Sequence, residues 1–151
     1  MVSIDKRGRK LSEREIITIE TRLGAHLPEM YRQFLWEYNG GVPTPDVIDV
    51  DGMPGSPTDV QVFFGIDRLI KSSNIDWNLA TFAERIDRRL LPIACDSGNN
   101  LFCISLHGGD RGRVLYCDFT GGDAVTYLVA MDFGLFLESL RTFEDGGLPH
   151  L

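Results

Sequence analysis

The sequence predicts an α+β fold: an N-terminal helical hairpin and a C-terminal helix packed on a mostly antiparallel β-sheet. Three observations predict it. Apolar residues recur at helical spacing in two adjacent stretches near the start and in one near the end. Between them, the second half alternates short β-favouring runs with turn residues. A chain of 151 residues, 43% hydrophobic, can bury a core without disulfides or a metal, so a single domain over residues 1–151 is expected.

The first helix opens at Ser12, followed three residues later by Glu15 in a capping-box pattern. Leu11 and Ile16 occupy the positions of a hydrophobic staple, and Ile16, Ile19 and Leu23 form the apolar stripe. Gly24 supplies the stop. Pro28 suits the first position of a second helix, where its missing N–H costs nothing. Met30, Tyr31, Phe34, Leu35 and Tyr38 fall on one face of that helix, and Asn39-Gly40-Gly41 ends it. Residues 1–10 and 145–151 are expected to fray.

The middle is punctuated by Pro and Gly. Val47, Ile48 and Val50 suggest a strand, and Val60 to Ile66 a better one. DRLIKSS (67–73) reads as a turn or short helix. Residues 76–86 read as a helix capped by Asp76, with Leu79, Ala83 and Ile86 inside. A meander follows: 91–96, 101–106, 113–119 and 124–130 are apolar β-favouring runs, separated by SGNN, HGGDRG and TGGD. Asp132 caps the closing helix, whose buried stripe is Phe133, Phe136, Leu137 and Leu140.

Charge excludes several functions. The net charge of -7 repels phosphate backbones, so no nucleic-acid partner is expected. The three cysteines are odd in number and contain no CxxC, which reads as reduced thiols. No apolar run reaches the length of a membrane span, and MVSIDKRGRK lacks the apolar core of a signal peptide. A cytoplasmic protein without membrane attachment is expected, as a monomer or weak dimer.

CDSGNNLFCISLHGG (95–109) gathers groups used in catalysis: Cys95, Asp96, Ser97, Cys103, Ser105 and His107. A nucleophile at Cys95 or Ser97 needs a histidine within hydrogen-bond reach. His26 lies in the inter-helix turn and His150 in the tail. His107 sits beyond the far end of the strand from Ser97, and a strand rises about 3.3 Å per residue. Turn chemistry is therefore the expected role of this segment, with no catalytic residue. Cys95, Cys103, His107 and Cys117 are ligand types at the wrong spacing for zinc. DVIDVDG (46–52) lacks the spacing and closing Glu of a calcium loop. The paired glycines lack any phosphate-loop context. No metal or cofactor is expected.

The acids are more informative. Between Gln33 and Asp67 lie Glu37, Asp46, Asp49, Asp51, Asp59 and Asp67, with no Lys or Arg. Residues 90–151 hold eight acids against three arginines. The first set, on a Pro/Gly-rich region, is a candidate docking surface for a basic protein. Trp36 falls opposite the Phe34–Tyr38 face and joins the set as a candidate anchor, and Trp77 starts a weaker helix. Capping and solubility are the alternative role for each acid.

Three blocks resemble one family. LPEMYRQFLWEYNGG (27–41) is similar to the opening signature of the SUKH superfamily, the Smi/Knr-type proteins. LLPIACDSGNNLFCISLHGGDRGRVLYCDF (90–119) resembles its second block, and VTYLVAMDFGLFLESL (125–140) its end. The departures are Asn99-Asn100 in place of Gly-Asn and Trp36 within the first block; the loop 42–59 has no counterpart. The resemblance implies an α+β domain without catalytic residues. It also implies an immunity protein that binds and neutralises a cognate protein toxin, such as a nuclease, by occlusion. The alternative is a non-catalytic adaptor or regulatory protein of the same fold that scaffolds a cellular partner.

Overall fold

The computed structural model describes residues 2–143. In chain order it contains β1 (Ser3–Asp5), α1 (Glu13–Leu23), α2 (Glu29–Tyr38), β2 (Val42–Thr44), β3 (Val47–Ile48), β4 (Thr58–Asp59) and β5 (Val62–Phe63). A 3-10 turn (Lys71–Ser73) leads into α3 (Ile75–Phe82). Then come β6 (Leu90–Cys95), β7 (Leu101–Ser105), β8 (Val114–Asp118), β9 (Val125–Ala130) and α4 (Phe133–Glu138). The expected α+β architecture is present.

The main sheet runs β5-β6-β7-β8-β9, all antiparallel. Its register defines two faces, because successive side chains on a strand point to opposite sides. Phe63, Ala94, Phe102, Tyr116 and Tyr127 form one row across the five strands. On that face Phe34 of α2 meets Phe63 and Phe133, and Phe136 of α4 meets Phe102, with centroids 4.8 to 5.5 Å apart. The next row is Val62, Cys95, Leu101, Cys117 and Thr126. It looks the other way, toward the α3 side, where Phe82 stacks on Phe119 at 5.2 Å.

α1 carries the full capping box: the Ser12 hydroxyl accepts the Glu15 N–H, and the Glu15 carboxylate accepts the Ser12 N–H. Gly24 closes it at φ 69°, where a side chain would be strained. α2 ends on Asn39, also left-handed at φ 50°. The Asn39 side chain is a tie between distant segments: its amide donates to the carbonyls of Arg9 and Ile66, and its oxygen accepts the Ile66 N–H. Gly65 lies so close that a Cβ there would collide with Asn39. Asn39-Gly40-Gly41 is thus a junction as well as a stop, and Gly41 exchanges both backbone hydrogen bonds with Phe63 of β5.

Four expectations need correction. Residues 1–10 were expected to fray, but β1 pairs with β2, Ile4 is buried opposite Pro43, and Gly8 donates to the Tyr38 carbonyl. Their cations rest on aromatic faces: Arg7 over Tyr38 and Lys10 over Trp36. Met30 was placed on the buried face of α2 but is exposed, lying over Gly134. The single strand expected over 60–66 is short β5 preceded by β4, which pairs with β3. α3 begins at Ile75, not after Asp76, and buries Ile75 and Asn78 while Ala83 is exposed. Residues 145–151 lie outside the described residues.

Candidate functional site

The structure divides the acidic set in two. Asp49 receives a two-pronged ion pair from Arg141, both contacts 2.8 Å, which holds its carboxyl below the usual range. Asp59 accepts the Ser97 N–H at 2.8 Å and the Ser97 hydroxyl. Asp67, at φ 54°, accepts Arg9 at 2.7 Å. These three brace the fold. Glu37, Asp46 and Asp51 are exposed, with no side-chain hydrogen bond or ion pair among the described residues. Trp36 is half-buried against the core, with the Lys10 ammonium 4.4 Å from its ring centre.

The CDSGNN turn is held by one buried carboxylate. Asp96 is 2% exposed. It accepts the Gly98 and Asn100 N–H groups at 2.9 and 2.8 Å, the Thr58 hydroxyl at 2.9 Å and the Tyr116 hydroxyl at 2.5 Å. Asn100 in turn accepts the Phe119 N–H at 2.9 Å. One side chain therefore joins β4, β6, β7 and β8. Burial, with Asp96 beside it, pushes the Tyr116 phenol up.

The other reactive groups have quiet surroundings. Ser105 donates to Asp110 at 3.1 Å and to the His107 carbonyl, not its ring. Cys103 and Cys117 are fully buried with their sulfurs 3.9 Å apart, the neighbourhood a paired hairpin implies. Burial pushes the Cys103 thiol well up. Burial, and behind it Asp96 and Asp59, push the Cys95 thiol up to about 11, the opposite of an activated nucleophile. His26 is exposed, its Nδ1 3.6 Å from buried Glu20, which accepts the Leu27 N–H in the turn before α2. Among the described residues no group of three or more His, Cys, Asp or Glu side chains could hold a metal ion. No helix there is long and apolar enough to cross a membrane.

A concavity of about 770 Å³ lies on the α3 side of the sheet. Its floor is the second row of the sheet: Val62, Cys95 and Leu101. Trp77 and Phe82 of α3 form one wall. The segment after β5 forms the other, presenting Leu69 (102% exposed) and Ile70 (66% exposed). Lys6 and Arg68 stand on the rim. Sequence reasoning missed this wall: DRLIKSS showed adjacent Leu and Ile between cations in a turn, a pairing unlike ordinary turn chemistry.

The sequence matches the SMI1 / KNR4 family (SUKH-1) over residues 10–139. The chain belongs to this family. It is also 28% identical over 138 residues to the SPbeta prophage-derived uncharacterized protein YokK of Bacillus subtilis (strain 168), covering 81% of this chain and 70% of that protein. The SMI1 / KNR4 match spans α1 through α4 and includes the Asn39 junction and the Asp96 turn. The quoted family blocks therefore coincide with the ties that hold the fold together, while the rim residue Lys6 lies before the matched segment.

Proposed function

We propose that this SUKH protein is an immunity protein that binds and neutralises a cognate bacterial toxin by occluding it. Family membership across residues 10–139 carries the reading, since the family includes toxin immunity proteins. Two further facts support it. Asp96 and Ser97 serve as turn ties, Cys103 and Cys117 are buried thiols, and the Cys95 thiol is pushed up rather than activated. Glu37, Asp46 and Asp51 remain free to meet a basic toxin surface, and opposite charge speeds encounter. The contact is expected to be protein on protein, in the cytoplasm, without cofactor or catalysis.

The test is co-expression with the toxin domain encoded beside the gene. Rescue of growth and a purifiable one-to-one complex are expected. Failure of both with every neighbouring toxin candidate overturns the reading. Alanine at Cys95, Ser97 or His107 should leave rescue intact in a folded protein; loss of rescue there would point to an enzyme instead.

A further inference from the structure

We infer that the groove between α3 and the Asp67–Ser73 segment binds an extended protein segment bearing an apolar side chain next to a carboxylate. The inference rests on the reading of this chain as a protein-binding protein, and assigns that contact a place and a chemistry.

The loop is built to present its apolar residues. Leu69 and Ile70 stand in water on a segment that hydrogen bonds hold at both ends. Asn74 accepts the Arg68 N–H at 2.8 Å and donates to the Arg68, Ile70 and Lys71 carbonyls. Asn78, buried under the loop, donates to the Ser72 and Asn74 carbonyls at 3.0 and 2.9 Å. Asp67 is pinned by Arg9. The exposure of two adjacent aliphatic side chains is thus a fixed feature of the loop, and the groove beside them is mostly apolar. Contiguous apolar surface beside a concavity marks an interaction site.

Charge selects the occupant. In a chain of net charge -7, this rim carries Lys6 and Arg68, and among the described residues neither has a carboxylate partner. Arg68 donates only to carbonyls, to Asn39 at 2.6 Å and Lys6 at 2.5 Å. Burial lowers its affinity for the proton. Asp67, the adjacent acid, is turned to Arg9. A guanidinium that is partly desolvated and unpaired by acid gains most from a carboxylate brought by a partner. An apolar side chain over Val62 and Leu101, with a carboxylate at the Lys6–Arg68 rim, satisfies both halves of the site.

The probe is the N-acetylated, amidated pentapeptide Gly-Leu-Phe-Asp-Gly, compared with its Asn and Lys counterparts at the fourth position. The readout is the indole N–H resonance of Trp77 in the full chain, with Trp36 as internal control. A saturable Trp77 shift is expected, with affinity near about 1 mM. Binding should be about fivefold weaker for the Asn peptide, and weakest for the Lys peptide. Lys6→Asn should narrow the preference for the Asp over the Asn peptide without abolishing it, since Arg68 remains at the rim, and Ile70→Glu should weaken binding of the Asp peptide about tenfold. Equal binding of all three peptides, a shift confined to Trp36, or no shift overturns the inference. A Trp77 shift that grows with protein concentration alone and disappears in Ile70→Glu assigns the groove to a second copy of the chain, and also overturns it. The two readings separate in the rescue assay. Equal rescue by wild type and Ile70→Glu rejects the groove as the toxin contact and leaves the immunity reading standing. A Trp77 response without any rescue rejects the immunity reading alone.

Discussion

Single residues decide more of this fold than their size suggests. Asp96 is buried and accepts from two backbone amides, two hydroxyls and the Asn100 side-chain amide, so its removal strands five donors in a poorly hydrated site. Asp96→Ala should cost about 3 kcal/mol, read from urea midpoints; a change within error would show that water replaces the carboxylate at no cost. Tyr31 is the converse case. Its ring packs edge-on to Phe133 at 5.2 Å, yet its hydroxyl is buried with no hydrogen-bond partner among the described residues. Burial alone pushes its ionisation up. Tyr31→Phe keeps the ring and removes the orphan group, so stability should rise by about 1 kcal/mol. A thermal melt that falls instead would reveal a partner for the hydroxyl. Tyr31 was legible as a core residue from its helical spacing; its unsatisfied oxygen was not, because satisfaction depends on what other elements bring near it.

At the scale of elements, local rules succeed where the responsible atoms are close in sequence. The Ser12–Glu15 box, the Gly24 stop and the Asp132 cap on Leu135 all follow from three- or four-residue spacings. Glu15 also binds Arg9, and that guanidinium, ahead of the Ser12 amide, holds its carboxyl down to about 2 from 4.5. A carboxyl depressed by folding adds stability that is fully present above its unfolded value and is lost as pH falls through the folded one. Stability should therefore decline between pH 4.5 and about 2, in part through Glu15. Glu15→Gln should flatten that limb in a pH series of urea midpoints; an undiminished slope would exclude the Arg9 contact as its source. Asp49, held down by Arg141, leaves a residual slope in either case. Where tertiary contacts compete, local rules lose. Asp76 has the chemistry of a cap, but Arg22 takes its carboxylate at 3.0 Å, and α3 starts one residue earlier. Met30 has helical spacing with Tyr31 and Phe34, yet the rotation that buries those aromatics leaves it outside over Gly134.

For the whole molecule, the two-faced sheet sets the distribution of function. One face is consumed by the aromatics of α2 and α4; the other holds three thiols, of which Cys103 and Cys117 are sealed and Cys95 is half-exposed at the groove. Alkylation of the native protein should therefore mark Cys95 first, though slowly at neutral pH because its thiol is pushed up to about 11. Cys103 and Cys117 should react only at the rate of global opening. Mass spectrometry of the labelled peptides checks this, and equal rates for all three would show that the α3 side opens independently. By itself the sequence determined the fold class, the helical hairpin, the meander and the closing helix, because each rests on periodicity, capping or turn chemistry within a few residues; the family was legible separately, from the resemblance of three motif blocks. Only the tertiary structure decided which acids are free and which are braces, since Asp49 and Arg141, or Asp59 and Ser97, meet across tens of residues. It also decided that the chemical look of CDSGNN is a buried tie, and that an unremarked Leu69-Ile70 turn stands over an apolar groove beside cations with no carboxylate partner among the described residues. Burial and partnership are properties of packing, and packing joins residues that local sequence keeps apart.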